Sequence, residues 1–291
     1  MFAMFDTSHS QNELVGVRHS PIRSQPLLGS IAVGSALAVA LPTALLLASA
    51  LTGIFWQQQT DYPIVGFLNT FARRFQLFDH AMHTVTTLVL LQGALLVALI
   101  WYLWFAHPDV ALRGRLVAGT LAASLAGAAS RVLQLVLPSH FRPMHTPELH
   151  FELPIGVEPN ALNHFYSFPS DHGVLFFGLS AVIYRLNPKL GIAAFVWATI
   201  IDLARIYEGY HFPSDIIGAL GFGLLMAYLA QTRPVHRLAC RVLTLERNYR
   251  PAFYMVAFLA TYQIATLFDD VRVMGAGFAS AMLHHGPFIG G

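Results

Sequence analysis

Residues 28–56, "LGSIAVGSALAVALPTALLLASALTGIFW", contain no charged side chain. A helix needs roughly 20 apolar residues to cross a bilayer, and this stretch exceeds that. The small residues of "LASALTG" at 47–53 resemble a cleavage site, but the apolar run before them is too long for a signal peptide. The stretch therefore reads as a retained transmembrane helix. The rest of the chain has the same character. Of its 291 residues, 55% are apolar and 11% charged, and the mean hydropathy is +0.56. These values exclude a water-soluble domain. Further apolar spans fall at 80–105, 115–138, 170–187, 190–208 and 214–231, with a seventh at 251–268. The expected fold is all-α, a polytopic membrane bundle of six core helices plus one C-terminal helix. Its parts are a cytoplasmic segment 1–27, the core 28–231, and a basic loop, extra helix and tail over 232–291.

The charges orient the bundle. Seventeen basic and fifteen acidic residues leave a net charge of +2, a balance that gives no ground for a nucleic-acid partner. Basic residues accumulate in cytoplasmic loops. With the N-terminus inside, that side holds Arg18, Arg23, Arg113, Arg115, Arg185, Lys189 and the arginines from 233 to 250. The other side holds Arg73, Arg74, Arg142 and Arg272. The loop 139–169 and the turn near 208–213 then share the outer face. A single cysteine, Cys240, precludes an internal disulfide.

Arg131, Asp202 and Arg205 lie within or at the ends of spans, where a charge costs at least about 2.5–3.5 kcal/mol at the bilayer centre. Asp202 and Arg205, three apart, either pair with each other or serve a site. Close by, Phe-Pro-Ser-Asp occurs twice, in "FPSDH" at 168–172 and "HFPSD" at 211–215. Each copy reads as a helix start: proline occupies the first position and aspartate the first turn. Capping explains the tetrapeptide but not the histidine beside each copy. Helix N-termini and arginine forks both favour anions, so two such starts, two histidines and the arginines converge on a phosphate site.

In this pattern the chain resembles the type 2 phosphatidic acid phosphatases, a family sharing a helical core with the vanadium haloperoxidases. The family has three motifs. Arg142-Pro143 in "SHFRPMH" matches the first. Pro169-Ser170-Asp171-His172 stands for Pro-Ser-Gly-His. Ala204-Arg205, five residues, His211, three residues and Asp215 match the third. The resemblance implies that His211 attacks phosphorus to give a phosphohistidine. Asp215 would hold the other ring nitrogen's proton, and His172 would protonate the leaving oxygen and then activate water. Arg142, Arg205, Ser170, Arg131 and the 169–172 helix start, Asp171 included, would hold the phosphate. No metal or cofactor is called for.

Three positions depart from the family. Leu135 stands where the family has lysine, with Arg131 one helical turn earlier on the same face. There Arg131 either reaches the phosphate or pairs with Asp202 or a headgroup. Asp171 replaces glycine, a variant associated with bacterial members resembling undecaprenyl-diphosphate phosphatases, and is expected to be dispensable. Ala204 replaces serine.

Other features carry less. His80 and His83, with His140, His145, His150 and His164, lack the carboxylate or cysteine pattern of a metal site and read as interfacial. Glu148, Glu152 and Glu158 suit a solvated face or gate. The 57–79 segment suits an interfacial helix, and "LHHGPFIGG" at 283–291 a flexible tail. The implied protein is a multi-pass enzyme of the bacterial inner membrane, its site facing outward, hydrolysing a lipid phosphate or diphosphate. Undecaprenyl diphosphate comes first among substrates, and phosphatidic acid or phosphatidylglycerol phosphate next. The alternatives are a lipid phosphotransferase using the same site, or a non-catalytic lipid-binding or transport protein. The oligomeric state is left open.

Overall fold

The computed structural model describes residues 27–136, 140–271, 273 and 274. Arg18, Arg23, Arg272 and the 283–291 tail lie outside the described residues. Residues from Leu37 onward form one compact unit, to which all that follows refers. The described residues form ten α-helices: α1 Leu27–Phe55, α2 Gln57–Asn69, α3 Gln76–Thr87, α4 Leu95–Ala106, α5 Val110–Val136, α6 Asp171–Leu186, α7 Pro188–Tyr207, α8 Pro213–Leu229, α9 Arg233–Asn248 and α10 Arg250–Ala265.

Local chemistry sets the helix starts. Ser170 caps α6 by accepting the Gly173 N–H at 3.1 Å. Asn187 caps α7 by accepting the Leu190 N–H at 3.1 Å, with Pro188 next. At α8 the Asp215 carboxylate reaches back to the Phe212 N–H at 2.7 Å. Each side chain satisfies one of the donors that a helix N-terminus leaves unpaired.

Three segments are long and apolar enough to cross a membrane: Leu37–Phe55, Val110–Val136 and Pro188–Tyr207. The count rises to five if α3 with α4, and α8 with α9, each act as one span bent by 64°. The 80–105 span is thus broken, at Leu88, where the backbone turns extended before a π-helical turn at Leu90–Ala94. At position 251 the expected seventh span is α10, whose 16 residues reach roughly 24 Å at 1.5 Å per residue. The largest difference from expectation lies at 233–248, read as a loop and observed as the amphipathic helix α9. Its Ala239 and Leu243 are buried four residues apart, while arginines line its exposed side. Those arginines kept the segment from reading as a span and hid its helical period.

The core is built around α6, which packs on α5, α7 and α8 and is buried almost throughout its length. Close approach depends on small residues, as is usual where apolar packing alone offers little drive between helices in lipid. A Cβ on Gly223 of α8 would lie 2.7 Å from the Val174 carbonyl oxygen and 2.8 Å from the Gly178 nitrogen. These are backbone atoms of α6 and cannot rotate aside. On α2, a Cβ on Gly66 would meet nothing within 4 Å.

The 57–79 segment forms α2 and the turn into α3. Arg73 adopts a left-handed φ of 59°, and its Nε donates to the Leu153 carbonyl at 2.7 Å. Asp79, fully buried, accepts from the Arg73 and Ile155 N–H groups at 3.1 and 3.0 Å and from the Tyr207 hydroxyl. This carboxylate thereby joins α3, the 140–170 segment and the end of α7. Thermal unfolding in detergent tests the small-residue packing. Gly223→Ala is expected to destabilise by about 1–3 kcal/mol, as overpacking does. Gly66→Ala is expected to leave the midpoint unchanged or raise it slightly, because alanine is the better helix former.

Candidate active site

The ends of α5 and α7 and the starts of α6 and α8 meet at one end of the bundle. The 140–170 segment closes over them. Ser130 Oγ and Gln134 Nε2 of α5 both donate to the Pro169 carbonyl, at 2.9 and 2.6 Å. The Met144 N–H donates to the Gly209 carbonyl at 3.1 Å. The motif residues, distant in sequence, thus come to one place.

Arg142 is fully buried. Its Nη1 donates to the Tyr210 carbonyl at 2.7 Å, and its Nη2 to Gln134 Oε1 at 3.1 Å and the Tyr166 carbonyl at 3.3 Å. Nη1 also lies 3.4 Å from His211 Nε2. Arg205 is buried too, its guanidinium carbon 4.9 Å from the centre of the Tyr210 ring. The Nε atoms of both arginines are buried and bond to nothing among the described residues. A buried donor without an acceptor is costly, and more so when charged. Burial lowers the Arg142 pKa to about 9; Asp171 opposes the shift, and the cations Arg205 and Arg131 add to it.

His211 is fully buried beside them. Its Nδ1 lies 2.9 Å from the Ser167 carbonyl oxygen, an acceptor only, so the proton belongs on Nδ1 and the lone pair on Nε2. Burial, opposed by Asp215 and reinforced by Arg142 and Arg205, lowers its pKa to about 4. The ring is therefore neutral at neutral pH, with its lone pair toward Arg142.

Asp215 was expected to hold that Nδ1 proton, but its Oδ2 stands 3.6 Å away, beyond a hydrogen bond. The carboxylate is taken up elsewhere. Oδ2 accepts from Ser167 Oγ and the Phe212 N–H, and Oδ1 from His140 Nε2 at 2.9 Å. Burial works against a charged His140, yet Asp215, with Asp61 adding, raises its pKa overall.

The second motif also differs from its expectation. Asp171 does not face the cluster as a spare residue in a glycine position. Its Oδ1 meets His172 Nδ1 at 3.1 Å and its Oδ2 meets Arg131 Nε at 3.4 Å. Both carboxylate oxygens of Asp171 are thus taken up by the two side chains it touches. Arg131 also donates to Gln134 Oε1 at 3.1 Å and lies over the Phe165 ring. Its acidic partner is therefore Asp171, where Asp202 had been considered. Asp202 and Arg205 do not pair either. Asp202 Oδ1 accepts from Ser170 Oγ at 3.4 Å, and Oδ2 is a buried oxygen without a hydrogen-bond partner. The Ser170 hydroxyl is thus occupied as cap and donor. Leu135, by contrast, is 52% exposed.

Three contributors, Gln134, Glu208 and Ser167, went unnoticed in the sequence, and His140 was read only as an interfacial histidine. Gln134, an uncharged polar residue in an apolar span, was a usable signal, since such residues are costly in lipid. Glu208, inside the Arg205–His211 spacing, was another. It is fully buried and its Oε1 meets His83 Nδ1 at 2.9 Å. His140 and Ser167 gave no signal, because their partner Asp215 is distant in sequence. Of the histidines considered for a metal, His83 and His140 instead meet carboxylates one at a time, and His145 Nε2 lies 2.9 Å from the Ala161 carbonyl.

The chain is similar to several known proteins. The bacitracin transport permease protein BcrC of Bacillus licheniformis is 38% identical over 61 residues, covering 21% of this chain and 30% of that protein. The undecaprenyl-diphosphatase BcrC of Bacillus subtilis (strain 168) is 22% identical over 172 residues, covering 58% of this chain and 81% of its own. A solved transmembrane PAP2 type phosphatidylglycerolphosphate phosphatase from Bacillus subtilis aligns with a TM-score of 0.49 and 20% identity, over 67% of this chain and 94% of its own. Residues 121–237 match the PAP2 superfamily, and they include every motif residue from Arg131 to Asp215. Over this stretch, about two fifths of its length, the chain is similar to the PAP2 superfamily.

Proposed function

We propose that the protein is an integral membrane phosphatase that removes the terminal phosphate of a lipid phosphate or diphosphate through a phosphohistidine at His211. One observation carries this reading: two buried guanidinium groups, Arg142 and Arg205, each keep an Nε–H without an acceptor, and Arg142 Nη1 lies 3.4 Å from the lone pair of the neutral His211 ring. A phosphoryl group supplies the acceptors these donors lack, and phosphorus held there faces Nε2.

In the first step the Nε2 lone pair forms a bond to phosphorus while the bond from phosphorus to the lipid-side oxygen breaks. That oxygen takes a proton from His172, whose cationic form Asp171 steadies at 3.1 Å. In the second step a water molecule loses its proton to His172 and attacks phosphorus. The phosphorus–nitrogen bond breaks and inorganic phosphate leaves. The cations spread the charge of the equatorial oxygens. Arg131 contributes at longer range, tethered by Asp171. The Asp215 charge, 3.6 Å from Nδ1, favours the positive ring that forms on attack, while the Ser167 carbonyl holds its proton. Ser170 is assigned to shaping the start of α6 rather than to contact with the phosphate.

A polyprenyl diphosphate is the first substrate of choice, on the strength of the undecaprenyl-diphosphatase relative. Phosphatidic acid and phosphatidylglycerol phosphate are the next to try. The arginine distribution favours a site on the non-cytoplasmic face of a bacterial inner membrane.

A panel of lipid phosphates and diphosphates given to the purified protein tests the activity. Phosphate release is expected with at least one of them, and His211→Ala is expected to abolish it while the folded protein still elutes as wild type. Binding without release across the panel would point to a lipid-binding protein, and phosphate recovered on a second lipid to a transferase. A second prediction concerns the arginines. Arg142→Lys and Arg205→Lys keep the charge but remove the Nε–H fork. Each is expected to lower kcat by about 10²–10³-fold, the usual cost of one transition-state donor, with a smaller change in KM. Equal losses in kcat and rises in KM would mean that these groups only recruit substrate.

A further inference from the structure

At the opposite end of the bundle, α4, α5, α9 and α10 enclose a groove of about 460 Å³, within the range of ligand pockets. Its walls are apolar and include Trp101, Trp104, Leu121, Leu245, Phe253 and Ala260. Leu121, Leu245 and Val256 are half-exposed along its mouth. At the foot of the groove the chemistry changes. A second recess there mixes the charged side chains of Arg113, Glu246, Arg247 and Arg250 with apolar ones such as Val110 and Leu243. The boundary is an ordered set of contacts. Trp104 Nε1 donates to the Tyr254 hydroxyl at 3.1 Å, Tyr254 donates to Glu246 Oε1 at 2.9 Å, and Arg113 Nη1 meets the same oxygen at 3.5 Å. Asp109, at the start of α5, is taken up in capping the Ala111 N–H at 2.6 Å. Glu246 thus answers Arg113 and leaves Arg247 and Arg250 exposed as the excess charge. From Arg113 to Arg131 along α5 is roughly 27 Å at 1.5 Å per residue, so this place is remote from the candidate active site.

We infer that this groove and the arginines at its foot form a binding site for one anionic phospholipid, with an acyl chain along the apolar walls and the phosphate at Arg247 and Arg250. The order of apolar slot, aromatic boundary and cationic foot matches the order of chain, interface and headgroup in a lipid. Tyrosine and tryptophan favour that boundary. α9 provides the frame, as an amphipathic arginine-rich helix of the kind that lies in the interface plane. An uncharged or zwitterionic lipid would satisfy the walls and leave the arginines without an anion.

Trp101 and Trp104 report on the groove directly. The full chain carrying Trp56→Phe and Trp197→Phe is placed in phosphatidylcholine nanodiscs, into which phosphatidylglycerol or phosphatidylcholine with brominated acyl chains is titrated. Quenching is expected to reach its midpoint at about fivefold or lower content of brominated phosphatidylglycerol, since each arginine near an anionic headgroup contributes about that factor. Arg247→Ala with Arg250→Ala is expected to bring the two midpoints together. Ala260→Phe, which fills the groove, is expected to remove the preferential quenching with both arginines present, and size exclusion checks that these variants fold. Equal midpoints for the two lipids in the parent protein would overturn the inference. So would a preference that survives loss of both arginines, or a groove found closed to both lipids by a second copy of the chain or by its own 275–291 segment.

Discussion

A carboxylate buried in the low-dielectric interior of a membrane protein is tolerated only if donors surround it, and Asp215 gathers its donors from three separate parts of the chain. The Phe212 N–H comes from the start of its own helix, the Ser167 hydroxyl from the end of the long loop, and His140 from that loop's beginning. Satisfying one charge therefore closes the loop over the helix ends. The same closure sets the Ser167 carbonyl against His211 Nδ1 and carries Arg142 under the Tyr210 carbonyl. The order of the site follows from the demands of this acid more than from any direct bond between it and the histidine.

The cations obey the complementary constraint. Arg131 is answered by Asp171, but Arg142 and Arg205 each keep a buried Nε donor without an acceptor, and Arg142 Nη1 lies 3.4 Å from His211 Nε2. Two buried guanidinium donors without acceptors are a cost to stability. Asp79 and Glu208 play a supporting part on the α3 side, the first joining loop and helix and the second meeting His83. Both are buried acids whose partners lie on other elements. Polar interactions of this kind fix how the segments meet, while glycine and alanine contacts around α6 fix how closely they pack.

Much of this could be read from the residues in order. Composition and span length revealed the all-helical membrane bundle, and the spacing from Arg205 to His211 to Asp215 picked out residues that are buried at the end of α7 and the start of α8. What remained hidden had specific causes. The His140–Asp215 contact joins residues 75 apart, and nothing local to either announces it. The Asp171–Arg131 pair joins one departure from the pattern to the arginine a helical turn before another, and only their meeting in space shows that the aspartate has two partners. α9 stayed concealed because apolarity was judged over span-length windows, in which its arginines outweigh the stripe containing Ala239 and Leu243. The break at Leu88 follows Thr86 and Thr87 in a largely apolar stretch that contains no proline to mark it.

The central claim is that the His211 imidazole, held neutral with its Nε2 lone pair among buried arginines, is the atom that takes the phosphoryl group. Brief exposure of the protein to a lipid diphosphate radiolabelled in its terminal phosphate, followed by alkaline quench and peptide mapping, tests this most directly. The account predicts label that is stable to alkali, labile to acid and confined to the peptide bearing His211, with none in a His211→Asn variant. Label on His172, or turnover with no labelled protein at any quench time, would contradict it.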